Sequence, residues 1–150
     1  MCFVEDSPCR NSPRTLHYNQ SCETFRRERG TNVHIRRLGA VSSGDDLVGI
    51  VTFIRHEHQK LRHKSMLVGM YMTPSSRGQG IGKKLVLEGI RRAQDEWKVE
   101  QILLSVVSTN DAALRLYESV GFQTFGVERR ALKVGETYLD ELHMAVYFNS

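Results

Sequence analysis

The chain has 150 residues, about one domain's length, and its 40% hydrophobic and 25% charged content excludes the disordered and collagen-like classes. Its apolar runs, such as Ile102 to Leu104, fall far short of the roughly 20 residues a membrane-spanning helix needs, and Met1 to Arg10 lacks the charged start and apolar stretch of a secretory signal. Lys and Arg outnumber Asp and Glu by 21 to 17, a net charge of +4 that favours anionic ligands without implying nucleic acid. A cytoplasmic location with no membrane partner is therefore expected.

Residues 1–32 carry all three cysteines (Cys2, Cys9 and Cys22) and two of the three prolines, with neither helical nor strand periodicity. An odd count confined to one end gives no closed disulfide framework and no paired metal site, so free thiols are expected. From Val33 the texture changes. Val33 to Val41 and Leu47 to Ile54 are β-branched, apolar-rich runs flanking the turn-forming Ser42-Ser43-Gly44-Asp45-Asp46, which predicts a hairpin. A polar stretch, Arg55 to Lys64, leads to a third strand, Ser65 to Met72, that Thr73-Pro74 closes because proline cannot continue the ladder.

Ile81, Leu85, Ile90, Ala93 and Trp97 then recur at helical spacing, predicting a helix from about Gly80 to Trp97. Gln101 to Val107 is a near-continuous apolar run, the pattern of a parallel strand covered on both faces. Ala113, Leu116, Tyr117 and Val120 form a second amphipathic stripe, with Thr109 or Asn110 as N-cap and Gly121 as the stop. Phe122 to Leu132 and Tyr138 to Phe148 read as two final strands joined near Val134-Gly135-Glu136. The order from residue 33 is βββαβαββ, an α/β class.

The segment Arg77-Gly78-Gln79-Gly80-Ile81-Gly82-Lys83 lies between a strand and a helix. Its bare backbone N–H groups and the positive end of the helix suit phosphate oxygens, a pyrophosphate above all. Arg77 and Lys84 stand where a Walker loop needs Gly and Ser or Thr, and no glycine completes a dinucleotide fingerprint. A turn that merely lets strand and helix pack is the bland alternative.

Arg77-Gly78-Gln79-Gly80-Ile81-Gly82 matches R/Q-x-x-G-x-G/A, and Asn110 to Phe122 matches N-x-x-A-x-x-L-Y-x-x-x-G-F. On these two ordered motifs the chain resembles the GNAT superfamily of N-acetyltransferases, in its bacterial type, over residues 33–148. Gly126 to Met144 is similar to the closing hairpin of many members. The resemblance implies a GNAT fold: a mixed central sheet with antiparallel N-terminal strands and a splayed parallel pair flanked by helices. It also implies acetyl-CoA as cosubstrate and direct attack by a primary amine of a small-molecule or peptide acceptor, with a homodimer as a possible assembly. By that resemblance Met70 and Met72 offer backbone groups to pantetheine in a gap also lined by Ser105 to Val107. Arg77, Gly78, Gln79, Gly80, Ile81, Gly82 and Lys83 wrap the pyrophosphate, and Asn110 hydrogen-bonds the arm. Lys83, Lys84 or Arg115 reach the adenosine phosphates, unless each merely belongs to a solvated helix face.

Tyr117 aligns with the tyrosine that protonates the departing thiolate in many members, a role a phenol suits; it also lies on the apolar stripe and can be a packing residue. No Glu occurs on the Ser65 to Met72 strand, where some members carry the base, which leaves Glu57, His58, Glu136 and Tyr138 as candidates. His56, His58 and His63 sit in a polar stretch rich in Arg and Lys, an unpromising cation site, so no metal is expected. Members usually open with a strand and two helices. Residues 1–32 show no counterpart and form a divergent or shortened segment ahead of an acyl-CoA-binding domain at 33–150. A catalytically degenerate CoA-binding module is the alternative.

Overall fold

Leu38 and Ala40 on one strand, and Val51 and Phe53 on the next, alternate with less buried neighbours and turn the same way, so one face of a sheet is dry. The structure, a computed structural model, describes residues 33–42 and 44–148. Within them the chain runs β1 (Val33–Val41), β2 (Leu47–His56), β3 (Lys64–Met72), α1 (Ile81–Trp97), β4 (Gln101–Val107), α2 (Asp111–Glu118), β5 (Gln123–Val134) and β6 (Thr137–Tyr147). The six strands form one sheet in the order β1-β2-β3-β4-β6-β5. All neighbours are antiparallel except β3 and β4, which are parallel.

The expected element order holds, with small shifts at the ends. β2 runs on to His56, and the polar stretch after it contains a single 3-10 turn at Gln59–Leu61. The Ser42 hydroxyl accepts from the Gly44 and Asp46 amides, both at 3.3 Å, which fixes the β1–β2 turn. Pro74 ends β3 as expected and opens a 3-10 turn at Pro74–Ser76. Of the two N-cap candidates for α2 it is Asn110 that serves, its Oδ1 accepting from the Ala113 amide at 3.2 Å. Phe122 stands just outside β5, buried at 2% exposure.

One expectation about β4 is corrected. Ile102, Leu104 and Val106 are buried, but Ser105 between them is exposed, so the strand is dry on one face only. The mostly apolar sequence hid this alternation, because Leu103 is only partly buried on the other face.

Helix α1 covers the dry face. Ile81, Leu85, Val86, Ile90, Ala93 and Trp97 face the strands, and each large apolar side chain so buried stabilises the fold by roughly 1.5–3 kcal/mol. Gly89 permits the close approach: a Cβ there would lie 2.2 Å from the Phe53 ring. At the far end of α1, Trp97 lies between the guanidinium groups of Arg36 and Arg55, each 5.7 Å from its ring, and Arg36 also pairs with Glu96. These contacts tie the helix end to β1 and β2.

A gap opens in the middle of the sheet. β3 and β4 pair only through Lys64 with Gln101, Ser65 with Ile102 and Met66 with Leu103. Beyond those residues the strands part, and among the described residues their facing edges have no partner strand. Along the gap, just past Met66, β3 carries a bulge: Thr52 pairs with Gly69 and Phe53 with Leu67, leaving Val68 as the extra residue. The bulge resets the alternation, so that Leu67 and then Met70 and Met72 face the helices.

Candidate active site

The open ends of β3 and β4 point toward the start of α1 and of α2, and four groups of residues converge there. The first is the glycine-rich entry to α1. Gly78 and Gly80 adopt φ of +73° and +75°, a region that favours glycine, and among the described residues nothing lies within 4 Å of a Cβ built on either. Toward those residues the loop presents bare backbone. Gly80 is the N-cap, and its carbonyl accepts the Lys84 amide at 3.1 Å, so the amides of Ile81, Gly82 and Lys83 have no partner within the helix. Two loop side chains brace it: Arg77 Nε donates to the Met72 carbonyl at 3.2 Å and Gln79 Nε2 to the Ser75 carbonyl at 2.9 Å.

Gly82 is there for a different reason. A Cβ at that position would point inward, 2.7 Å from the Met70 methyl and 3.2 Å from a Leu116 methyl. The absence of a side chain lets α1 sit against β3 and α2, while its amide still belongs to the first turn. Lys83, Lys84 and Arg115 are exposed.

The second group is Met70 and Met72, partly buried on the helix side of β3. The third is α2. Its Tyr117 is 7% exposed, packs edge-on to Phe122 with ring centroids 5.8 Å apart, and directs its hydroxyl at Met70 Sδ, 4.0 Å away. Burial pushes the Tyr117 phenol above its ordinary value, so it keeps its proton through the neutral range. Asn110 spends Oδ1 on the cap and keeps its amide donors.

The structure does not bring all the base candidates here. Glu57 and His58 follow the last residue of β2, beside the start of β3 and so at the closed end of the β3–β4 pair. Glu57 pairs with His34 at 3.2 Å, and His58 Nδ1 accepts the Lys60 amide at 3.3 Å. Both belong to the end of the sheet remote from the gap. Glu136 and Tyr138 lie at the tip of the β5–β6 hairpin, where Glu136 meets Lys133 at 3.7 Å and the Tyr138 ring takes the cations of Arg130 and Lys133 at 4.9 and 5.4 Å. Each is engaged with its own hairpin.

The fourth group was not legible in the sequence. Ser105, on β4 just past the last residue paired to β3, has its Oγ 2.8 Å from His143 Nδ1, and His143 Nε2 is 3.1 Å from Glu128 Oε2. The register Ser105 to His143 on β6, with β5 alongside, creates this chain from residues 38 and 15 positions apart. No spacing rule could have signalled it, because it depends on which strands become neighbours. The Phe125 ring lies 6.1 Å from the imidazole and shields one side.

No helix among the described residues is long and apolar enough to cross a membrane.

Comparison with known proteins fits this geometry. The family model of the acetyltransferase (GNAT) family matches residues 4–122, a stretch that begins inside the segment whose periodicity was unreadable; residues 4–32 of it lie outside the described residues. The mycothiol acetyltransferase of Acidothermus cellulolyticus is 31% identical over 98 residues, which are 65% of this chain but 26% of that protein, so the chain spans about a quarter of that relative. The spermine/spermidine N(1)-acetyltransferase of Bacillus subtilis is 26% identical over 118 residues, 77% of each chain. The yncA acetyltransferase of Salmonella typhimurium, solved with its cofactor acetyl-CoA, shares the fold with a TM-score of 0.70 at 20% identity, covering 77% of this chain and 66% of that one. With a parted strand pair, a glycine-rich helix entry and a family match over most of its length, the chain belongs to the acetyltransferase (GNAT) family.

Proposed function

We propose that the chain is an acetyl-CoA-dependent N-acetyltransferase acting on a primary amine of a small molecule or peptide in the cytoplasm. The observation that carries this reading is the gap between β3 and β4 beyond Met66 and Leu103, with the α1 entry and the Tyr117 hydroxyl on its border. An extended ligand arm can add to the free edge of β3 as a strand would, using the backbone groups of Met70 and Met72. Asn110 offers its remaining donors to the same arm. Residues 77–80 and the first-turn amides of Ile81, Gly82 and Lys83 meet a pyrophosphate, with Lys83, Lys84 and Arg115 available to further phosphate.

Acetyl-CoA supplies an activated acyl carbon; the chain's own residues orient it and move protons. As the amine nitrogen bonds to that carbon and the carbon–sulfur bond breaks, the electron pair of that bond leaves on sulfur and Tyr117 donates its proton there. Among the described residues the hydroxyl has a thioether as its partner, a weak acceptor, so transfer to an anionic sulfur forfeits little.

The test is thiol release from acetyl-CoA by the full chain with spermidine, amino acids and peptides as acceptors, beside calorimetry of coenzyme A binding. Turnover with any acceptor supports the reading. Tight binding with no turnover on any amine points instead to a binding module, and no binding at all removes the basis of the assignment.

A further inference from the structure

Direct attack needs a second proton device besides Tyr117, because a primary amine is mostly protonated at neutral pH and attacks only when neutral. We infer that Ser105, His143 and Glu128 form a relay that removes this proton, an inference that rests on the acetyl-transfer reading above. Three features of the geometry carry it.

The first is position. Ser105 lies on β4 two residues past Leu103, where pairing with β3 ends, so its stretch of the strand borders the gap. The second is sidedness. Leu104 and Val106 turn to the buried face with Tyr117, whereas Ser105 turns to the opposite, exposed face. An acyl carbon held in the gap has the Tyr117 phenol on one side and the Ser105 hydroxyl on the other. The amine approaches on the serine side and the thiolate departs toward the tyrosine, so donor and acceptor of protons never compete.

The third is the order of hydrogen bonds. Glu128 Oε2 is an acceptor, so it draws the imidazole proton to Nε2 and leaves the Nδ1 lone pair facing Ser105 Oγ. Ser105 can then accept a proton from the amine while passing its own to Nδ1. The product is a neutral amine, an unchanged serine and an imidazolium beside the Glu128 carboxylate. The groups facing the imidazole are Ser105 from β4 and Glu128 and the Phe125 ring from β5. No oxidant or further reactant is required.

Ser105 is the member that meets the substrate; His143 and Glu128 act through it. The experiment compares wild type with Ser105→Ala, His143→Gln and Glu128→Gln. Acetyl-CoA is the donor, and spermidine, an alanine-terminated peptide and hydroxylamine, already neutral at neutral pH, are the acceptors. All three sites are partly or fully exposed, and thermal denaturation confirms folding. The expected result is at least a tenfold fall in kcat on the protonated amine, the KM for acetyl-CoA unchanged, the loss largest at the acidic end of the pH profile, and near wild-type turnover with hydroxylamine. Folded variants that keep kcat and the pH profile of an active wild type overturn the relay and leave the acetyltransferase reading standing. Equal losses on hydroxylamine overturn it as well, because the fault is then not in deprotonation. An acetyl group found on Ser105 by mass spectrometry replaces the relay with a covalent route. A wild type that turns over none of the acceptors overturns both.

Discussion

Tyr117 packs in the core and is also the proposed proton donor, the two roles that its sequence position left as alternatives. The ring packs edge-on to Phe122 while the hydroxyl reaches the gap side of the helix at Met70. Burial raises the phenol's pKa and so keeps it protonated, which leaves it available as a donor and not as a base. Tyr117→Phe keeps the ring, so stability is expected to change by less than about 1 kcal/mol, the scale of one weak hydrogen bond. Turnover is expected to fall on the order of 10² to 10⁴ in kcat with coenzyme A affinity unchanged, as steady-state kinetics and calorimetry can check. The raised phenol also has a stability signature. Its contribution is intact below the ordinary phenol value and is lost as pH climbs through the higher folded-state value. Alkaline melting curves of wild type are therefore expected to fall more steeply than those of Tyr117→Phe, and parallel curves count against the buried, protonated phenol. Tyr117 was legible because a motif carried it. Ser105 was legible only as a residue lining the gap; its partnership with His143 was not, because a serine and a histidine 38 residues apart become partners only through the β4–β6 register.

Helix α1 uses its glycines in three ways, and substitutions separate them. At Gly80 a side chain meets open space, so Gly80→Asp costs the strain of a non-glycine residue at φ +75°, roughly 1–2 kcal/mol. Its carboxylate stands before the first-turn amides, and calorimetry is expected to show coenzyme A affinity down by tenfold or more. At Gly82 a side chain enters the apolar contact among Met70, Met72 and Leu116. Gly82→Asp is thus a packing and desolvation defect, and a lower melting temperature is expected to accompany any loss of binding. At Gly89 the obstacle is the Phe53 ring, 2.2 Å from a new Cβ, and a ring cannot swing aside as a methionine methyl can. Alanine improves helix propensity by up to about 1 kcal/mol, but overpacking typically costs about 1–3 kcal/mol and wins. Denaturant titration of Gly89→Ala is expected to show net destabilisation with residual coenzyme A affinity intact. The sequence marked all three glycines as one motif or as helix interior; their distinct duties follow from what the helix lies against.

At the scale of the molecule, periodicity was enough for most of the order of elements because β1 to β4, β6 and both helices show one dry face or stripe to a common core, whereas β5 buries none of its residues and was marked by its β-branched and turn residues instead. Residues 1–32 gave no such signal, and that part of the chain lies outside the described residues. What periodicity could not supply was where pairing stops. The gap exists because β3 and β4 share only the three residue pairs from Lys64 to Met66, a fact of register with no local sequence signature. It has a measurable consequence. In β3 and β4 the amides that point away from β2 and β6 past this point have no strand partner among the described residues, so they are expected to exchange hydrogen quickly in the free protein. Acetyl-CoA seated as an added strand covers those same amides. Exchange measured by mass spectrometry or NMR is therefore expected to slow at Met70 to Met72 and Leu104 to Val107, and in the first turn of α1. The Lys64 to Met66 pairing and the β5–β6 hairpin, already bonded across, are expected to change little. Binding also stabilises the whole chain by mass action, about 2.7 kcal/mol at a hundredfold excess over Kd. A uniform slowing over all strands would be that global effect alone. Local protection at the gap above the global change is the outcome that places the ligand between β3 and β4, and protection confined to the hairpin or to the β1–β2 edge would remove the gap as the binding site.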